Sequence, residues 1–256
     1  MASLLRTLTS AATAFFLSGI VWQHNASAAE LERAQIEQII QDYLMKNPEV
    51  IAGALAELQR RDADKQAKAR GAAVESSEAL LLSSPHQAVL GNPDGNVTVV
   101  EFFDYNCHFC RNSAADVQAI INQDPKVRVV LKEWPILGPE SVEAARVSIA
   151  ARMEDGGARF RDFHEKLLTT AGRADKATAI ATAAAIGYDV RKIQSDLASD
   201  EVNTTIAEGA RLGNVLSIEG TPTFVVGGQV VSGAIGVDAL KSLIGKARDE
   251  CKQKVC

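Results

Sequence analysis

The chain has 256 residues, 46% of them hydrophobic, enough to bury one good core and a small second element and too much for a disordered chain. Its formal net charge of -5 is mild, and its Lys and Arg are scattered, so no basic face suggests nucleic acid or an anionic membrane surface as partner. Proteins or small molecules remain.

Arg6 precedes an apolar run from Ala11 to Trp22, and Ala26-Ser27-Ala28 follows. This predicts a cleaved secretory signal over residues 1–28, because the run falls short of the ~20 apolar residues of a spanning helix. All four cysteines, Cys107, Cys110, Cys251 and Cys256, lie beyond it in two close pairs. Export would place them where disulfides form and persist.

From Leu31 to Leu58, Ile36, Ile39, Ile40, Tyr43 and Leu44, then Ile51, Ala54, Leu55 and Leu58, recur at helical spacing. Asn47-Pro48 breaks the pattern, Asn as a good N-cap and Pro as a good first helical residue. Gln59 to Arg70 is charged with few apolar anchors, a solvated helix or linker. Gly91 to Asn96 is a dense turn signal, and Val97 to Phe103 behind it reads as a buried strand. Helical spacing resumes after Cys110, so the first Cys pair sits at a strand-to-helix junction. Val127 to Leu137 is a second strand. Pro139 to about Val215 carries several helical segments, Thr221 to Gly233 reads as two strands joined at Gly227-Gly228, and an amphipathic helix with Val237, Leu240, Leu243, Ile244 and Ala247 on one face follows. The layout is α/β with a helical insertion.

A Cys-x-x-Cys at a helix start has a specific use. The sulfur of Cys107 would face unpaired backbone N–H groups, which favour a thiolate. The helix end contributes about 0.3–1 kcal/mol, up to ~2 in favourable sites, whereas one pKa unit corresponds to ~1.36 kcal/mol. A large depression therefore needs further donors, and a protonated His108 is one candidate. Cys110, one turn inside, would resolve a mixed disulfide. The same pair could instead be half of a zinc site, a two-thiolate copper(I) site, or a short structural disulfide.

The run "VVEFFDYNCHFC" followed far downstream by "GTPTFVVGG" resembles the DsbA family of exported, thioredoxin-fold disulfide oxidoreductases. The resemblance runs from about Gly91 to the C-terminal helix and includes the helical insertion, about residues 139–215. Ile36 to Gln59 is similar to the N-terminal helices of ScsC-like members, some of which oligomerise. The implied organisation is a signal over 1–28, an N-terminal helical oligomerisation segment and linker over 29–75, and a DsbA-like thioredoxin domain over 76–256.

The resemblance implies Cys107 as nucleophile, Cys110 as resolving thiol, and Thr221-Pro222 as a cis-proline loop facing them. Glu101 falls where the family holds a buried acid that moves protons; its plain alternative is a strand carboxylate facing solvent. His108-Phe109 replaces the Pro-His of the best-known oxidases, so the direction of electron flow is left open. Cys251 and Cys256 are expected to form a separate structural disulfide at the chain end. No cofactor and no metal are implied.

Lys132 and Glu133 read as a solvated pair and Trp134 as core packing; His164 reads as a surface or capping residue, and His86 likewise. The leading function is a periplasmic thiol-disulfide oxidoreductase that oxidises or isomerises disulfides in exported proteins. Its partners would be unfolded or misoxidised proteins, a membrane redox partner of DsbB or DsbD type, and further copies of the chain. The competing function is a copper(I)-binding periplasmic protein using the same thiolates.

Overall fold

The computed structural model describes residues 24–251, and the side chains of residues 33–250. The chain divides into two compact units, one ending at Asp64 and the other beginning at Lys65.

The first unit is helical. Helix α1 spans His24–Lys46 and helix α2 spans Glu49–Ser76, running past the boundary between the units. The break falls at Asn47-Pro48, but the Asn47 side chain does not cap α2. Its Nδ2 donates backward to the Tyr43 carbonyl at 2.8 Å, closing α1 instead. The charged stretch from Gln59 to Arg70 is continuous helix, held by exposed pairs one turn apart such as Arg60 with Glu57 and Asp64. Ile36, Ile39, Ile40, Tyr43, Ile51, Leu55 and Leu58 are all exposed.

In the second unit, α3 (Glu78–Leu82) leads to the edge strand β1 (Ala88–Gly91). Strand β2 (Val97–Phe103) enters helix α4 (His108–Gln123), and β3 (Val127–Glu133) follows. The insertion comprises α5 (Pro139–Asp155), α6 (Phe160–Leu168), α7 (Lys176–Ile186), α8 (Val190–Asp196) and α9 (Asp200–Val215). The hairpin β4 (Thr223–Val226) and β5 (Gln229–Ser232) precedes α10 (Val237–Cys251). The strands form one sheet in the order β1-β3-β2-β4-β5, in which β2 and β3 are parallel and the other neighbours antiparallel. This is a thioredoxin-like fold with a helical insertion and a helical N-terminal segment.

A strand buried on both faces reads as a continuous apolar run, and β2 obeys that rule with Glu101 as its one charged residue. Val99 and Phe103 pack on the face covered by α4 and α10, while Val100 and Phe102 meet Leu81 of α3 and Leu212 and Leu216 at α9. Residues Asp175, Asp189 and Ser199 cap α7, α8 and α9 by accepting backbone N–H bonds. Two glycines let α9 approach β3. A Cβ on Gly213 would lie 2.7 Å from the Trp134 ring, and one on Gly209 would collide with the Glu133 carbonyl.

Several expectations are overturned. Strand β3 stops at Glu133 rather than Leu137, because Pro135 has no N–H for the ladder and the N–H groups of Ile136 and Leu137 turn to the Asp104 carboxylate. Lys132 and Glu133 are not solvated; each is 2% exposed, and they point to opposite faces of the sheet. Lys132 donates to the Leu80 carbonyl at 2.7 Å and to Glu208 of α9 at 2.8 Å, and the Ser84 hydroxyl donates to the other Glu208 oxygen. His164 is buried rather than on the surface, with its ring edge-on to Phe103 and Tyr105, and burial pushes its pKa down to about 3. His86 is half-buried, with Nδ1 2.8 Å from Glu201.

The Lys132–Glu208 pair ties β3, α9 and the residues after α2 into one unit. Removing one partner of a buried ion pair leaves an uncompensated charge, so Lys132→Met should cost about 3–5 kcal/mol in urea unfolding. The double change Lys132→Met, Glu208→Leu should regain most of that loss.

Candidate active site

Strand β2 delivers the chain into a tight turn, Asp104 to Asn106, and Cys107 is the N-cap of α4 with extended backbone angles of φ -78 and ψ 119. The Cys107 N–H donates to the Asp104 carbonyl, and the Arg111 N–H to the Cys107 carbonyl. Both thiols of the pair are reduced. Cys110, one turn into the helix, is sealed at 0% exposure, while Cys107 retains 6%. The outer thiol is thus a narrow opening rather than a freely exposed group.

Facing it is the loop before β4, where the Thr221-Pro222 peptide is cis. When protonated, the Cys107 thiol donates to the Thr221 carbonyl, whose oxygen lies 3.0 Å from the sulfur. The loop is fixed on both sides, since the Thr223 hydroxyl donates to the Gly220 carbonyl and the Gly233 N–H to the Pro222 carbonyl, each at 2.7 Å.

Cys107 is held as a thiolate, its pKa lowered to about 5. The largest cause is a hydrogen bond from the Cys110 thiol, followed, against the cost of burial, by the neighbouring Thr221 side chain and the backbone N–H groups of Cys110 and Phe109. The same bond acts in reverse on Cys110, whose pKa is pushed far up first by holding its proton against Cys107, then by burial and by the nearby Glu101 charge. One proton and one negative charge are therefore divided between the two sulfurs, the charge on the outer one. The His108 ring is exposed and lies 3.3 Å from the Asn112 amide.

Glu101 does not face solvent. It is 3% exposed, accepts from the Ser113 hydroxyl at 3.2 Å, and has its pKa raised to about 8, mainly by burial, with the Cys107 charge adding to the rise. Near neutral pH this carboxyl holds a proton beside the buried sulfur.

Three further residues hold the site, and the sequence reading did not single them out. The buried Asp104 accepts four hydrogen bonds, from the N–H of Asn106, Ile136 and Leu137 and from the Ser141 hydroxyl, all between 2.7 and 3.0 Å. Asn106 pairs with both backbone groups of Ala174 in the insertion. Tyr105 bonds Ser148 at 2.8 Å and His164 at 3.1 Å, and Ser148 in turn donates to the buried Glu133. A signal for Asp104 was present, since it is a second carboxylate inside the same apolar run as Glu101. At the far end of the chain α10 runs to Cys251, and Cys256 lies outside the described residues together with the expected disulfide.

A thioredoxin fold with Cys-x-x-Cys at a helix mouth and a cis-proline loop opposite defines a class of thiol proteins, and comparison with known proteins specifies it. The chain belongs to the family of DSBA-like thioredoxin domains, whose model matches residues 98–245. Residues 32–65 match the N-terminal domain of the copper resistance protein ScsC. A thioredoxin-like oxidoreductase from Silicibacter pomeroyi is 41% identical with a TM-score of 0.64, covering 67% of this chain and 97% of its own. Proteus mirabilis ScsC in a transitional conformation is 26% identical with a TM-score of 0.64, covering 86% of this chain and 99% of its own. Disulfide bond formation protein D of Bacillus subtilis is 29% identical over 62% of this chain and 76% of that protein. The chain also matches Na(+)/H(+) antiporter NhaA 1 of Salinispora arenicola at 27% identity, over 62% of this chain but only 24% of the antiporter.

The electrostatics predict a pH profile. Iodoacetamide labelling of reduced protein should occur on Cys107, with a midpoint near pH 5, while Cys110 stays unlabelled until the fold opens. In the folded state Cys107 binds fewer protons than in the unfolded chain between pH 5 and its ordinary value near 9, so its contribution to stability is complete above 9 and lost as pH falls through 5. Glu101, raised from 4.5 to about 8, acts in the opposite sense between those values. In a Glu101→Gln background the stability of reduced relative to oxidised protein should therefore rise steadily from pH 5 to 9, as read by urea unfolding.

Asp104→Asn should cost about 2–3 kcal/mol in the same assay, because an amide nitrogen replaces one acceptor and confronts the donors it served.

Proposed function

We propose that the chain is a periplasmic thiol-disulfide oxidoreductase that exchanges disulfides in exported proteins, exported through a signal over residues 1–28. The observation that carries this reading is the division of roles at the cysteine pair, an ionised outer sulfur facing the cis Thr221-Pro222 loop and a protonated, sealed inner one. In the reduced form the Cys107 thiolate attacks a substrate disulfide, forming a mixed disulfide and expelling a substrate thiolate. If Cys110 then attacks Cys107, its proton passing to the departing substrate thiolate, the substrate leaves reduced and the enzyme is oxidised; if another substrate thiolate attacks, the bond is moved and the enzyme regenerated. In the oxidised form a substrate thiolate attacks Cys107, and the departing Cys110 sulfur takes a proton from Glu101. The substrate strand lies along the Thr221-Pro222 loop. Exposed Phe109, Ile136 and Leu137 flank the opening and suit apolar segments of unfolded chains.

The exposed apolar stripes of α1 and α2 support self-association, since such faces normally find a partner. An assembly with several Cys107 thiolates around one substrate favours isomerisation, and a membrane reductant of DsbD type would keep the pair reduced. A second reading is copper(I) binding by the same two sulfurs, favoured by the description of the family matched by residues 32–65. Binding would have to displace the Cys110 proton and would weaken at low pH.

Cys110→Ser should accumulate mixed disulfides with reduced substrate proteins on non-reducing gels, and Cys107→Ser should form none. Deleting residues 29–70 should give a monomer by light scattering and lower scrambled-ribonuclease isomerisation while dithiol oxidation persists. A full-length monomer, or a truncation with its assembly intact, rejects the oligomer. Stoichiometric copper(I) uptake without any disulfide exchange would replace the enzyme reading by the second.

A further inference from the structure

The residues on either side of Cys107 open into a cleft of about 490 Å³ lined by Asn106, His108, Arg111, Leu137, Gly172 and Arg173. No carboxylate lines it, although the chain as a whole carries a net charge of -5. Arg111 stands in the first turn of α4, where a cation opposes the helix dipole and no acidic residue accompanies it. Its Nη2 donates to the Gly172 carbonyl at 2.6 Å, while its Nε has no partner. Arg173 reaches the rim, 65% exposed, and pairs with Glu140 of α5 at 3.1 Å, itself 35% exposed. So open a pair is well screened by solvent and readily exchanged for another carboxylate.

We propose that this cleft is a specificity subsite that takes an acidic side chain of the substrate, within a few residues of the cysteine under exchange. The inference rests on the oxidoreductase reading and adds a substrate class to it. Guanidinium groups present planar, paired donors that match a carboxylate, and Leu137 gives the adjoining methylene groups an apolar wall. The cleft begins at Asn106 and His108, so a strand bonded to Cys107 passes its mouth. Extended segments with a cysteine near Asp or Glu are selected over those with a cysteine near Lys or Arg.

The test uses full-length reduced protein and three cysteine peptides carried as pyridyl disulfides, flanked by Asp, Asn or Lys. Cys107 attacks the peptide disulfide and Cys110 closes the enzyme disulfide, releasing peptide thiol and neutral thiopyridone, whose absorbance gives the rate. The Asp peptide should react about tenfold faster than the Lys peptide at low salt, and the ratio should approach one at high salt. Comparing the same peptides between enzymes cancels their intrinsic reactivity. Arg111→Gln should reduce the ratio, and Arg173→Glu, an exposed change that spares the core, should invert it. A ratio unchanged by both substitutions overturns the subsite while leaving the exchange chemistry in place. No reaction with any peptide overturns the subsite and the oxidoreductase reading together.

Discussion

The site is organised by one hydrogen bond, from the Cys110 thiol to the Cys107 thiolate. It fixes which sulfur carries charge and which carries a proton, and every neighbouring group is arranged around that asymmetry. The helix start supplies N–H donors from Phe109 and Cys110, so the charge on Cys107 is met by dipoles rather than by a formal cation. The helix end alone contributes about 0.3–1 kcal/mol, too little for a shift from 9 to about 5, and the added donors provide the rest. A stabilised thiolate also favours the reduced pair over its disulfide, which makes the couple more oxidising.

The same bond explains why Glu101 is tolerated in a fully buried strand. An ionised carboxylate there would lie in apolar surroundings close to another negative charge, and both effects raise its pKa. Kept protonated, it is a neutral acid packed between Leu131 and Phe224 on the neighbouring strands. Glu133, two residues further along the next strand and on the same face, is raised by burial in the same way and is served by Ser148. Lys132 on the opposite face is also pushed toward its neutral form by burial, but pairing with Glu208 opposes that push and supports its charge. Three buried ionisable groups thus meet burial by two different means.

The framework was legible because it rests on local signals. Strand β2, the two strands around Gly227-Gly228 and the insertion helices follow from hydrophobic spacing and turn residues, and the Cys pair with its downstream Thr221-Pro222 stands out as a motif. What was missed depends on partners distant in sequence. Strand β1 has four residues and becomes visible only when β3 pairs with it. Lys132 and His164 look solvated until α9, 76 residues beyond Lys132, brings Glu208, and until Phe103 and Tyr105 close over the imidazole. His108, adjacent to Cys107 in sequence, carries an exposed ring on the first turn of α4, 3.3 Å from the Asn112 amide.

The helical insertion is part of the site rather than an addition to the fold. Ser141 bonds Asp104, Ala174 exchanges two hydrogen bonds with Asn106, and Gly172 receives Arg111, so three points of the insertion grip residues within four positions of Cys107. Asp104 then links this grip to the Ile136-Leu137 lip through two backbone N–H groups. The nucleophile loop, the apolar lip and the insertion are consequently joined by one hydrogen-bond network. A thioredoxin core without the insertion would keep the helix mouth and the thiolate but lose the walls around them. The thiol pair thus belongs to the core, and part of the wall beside it, Gly172 and Arg173, to the insertion.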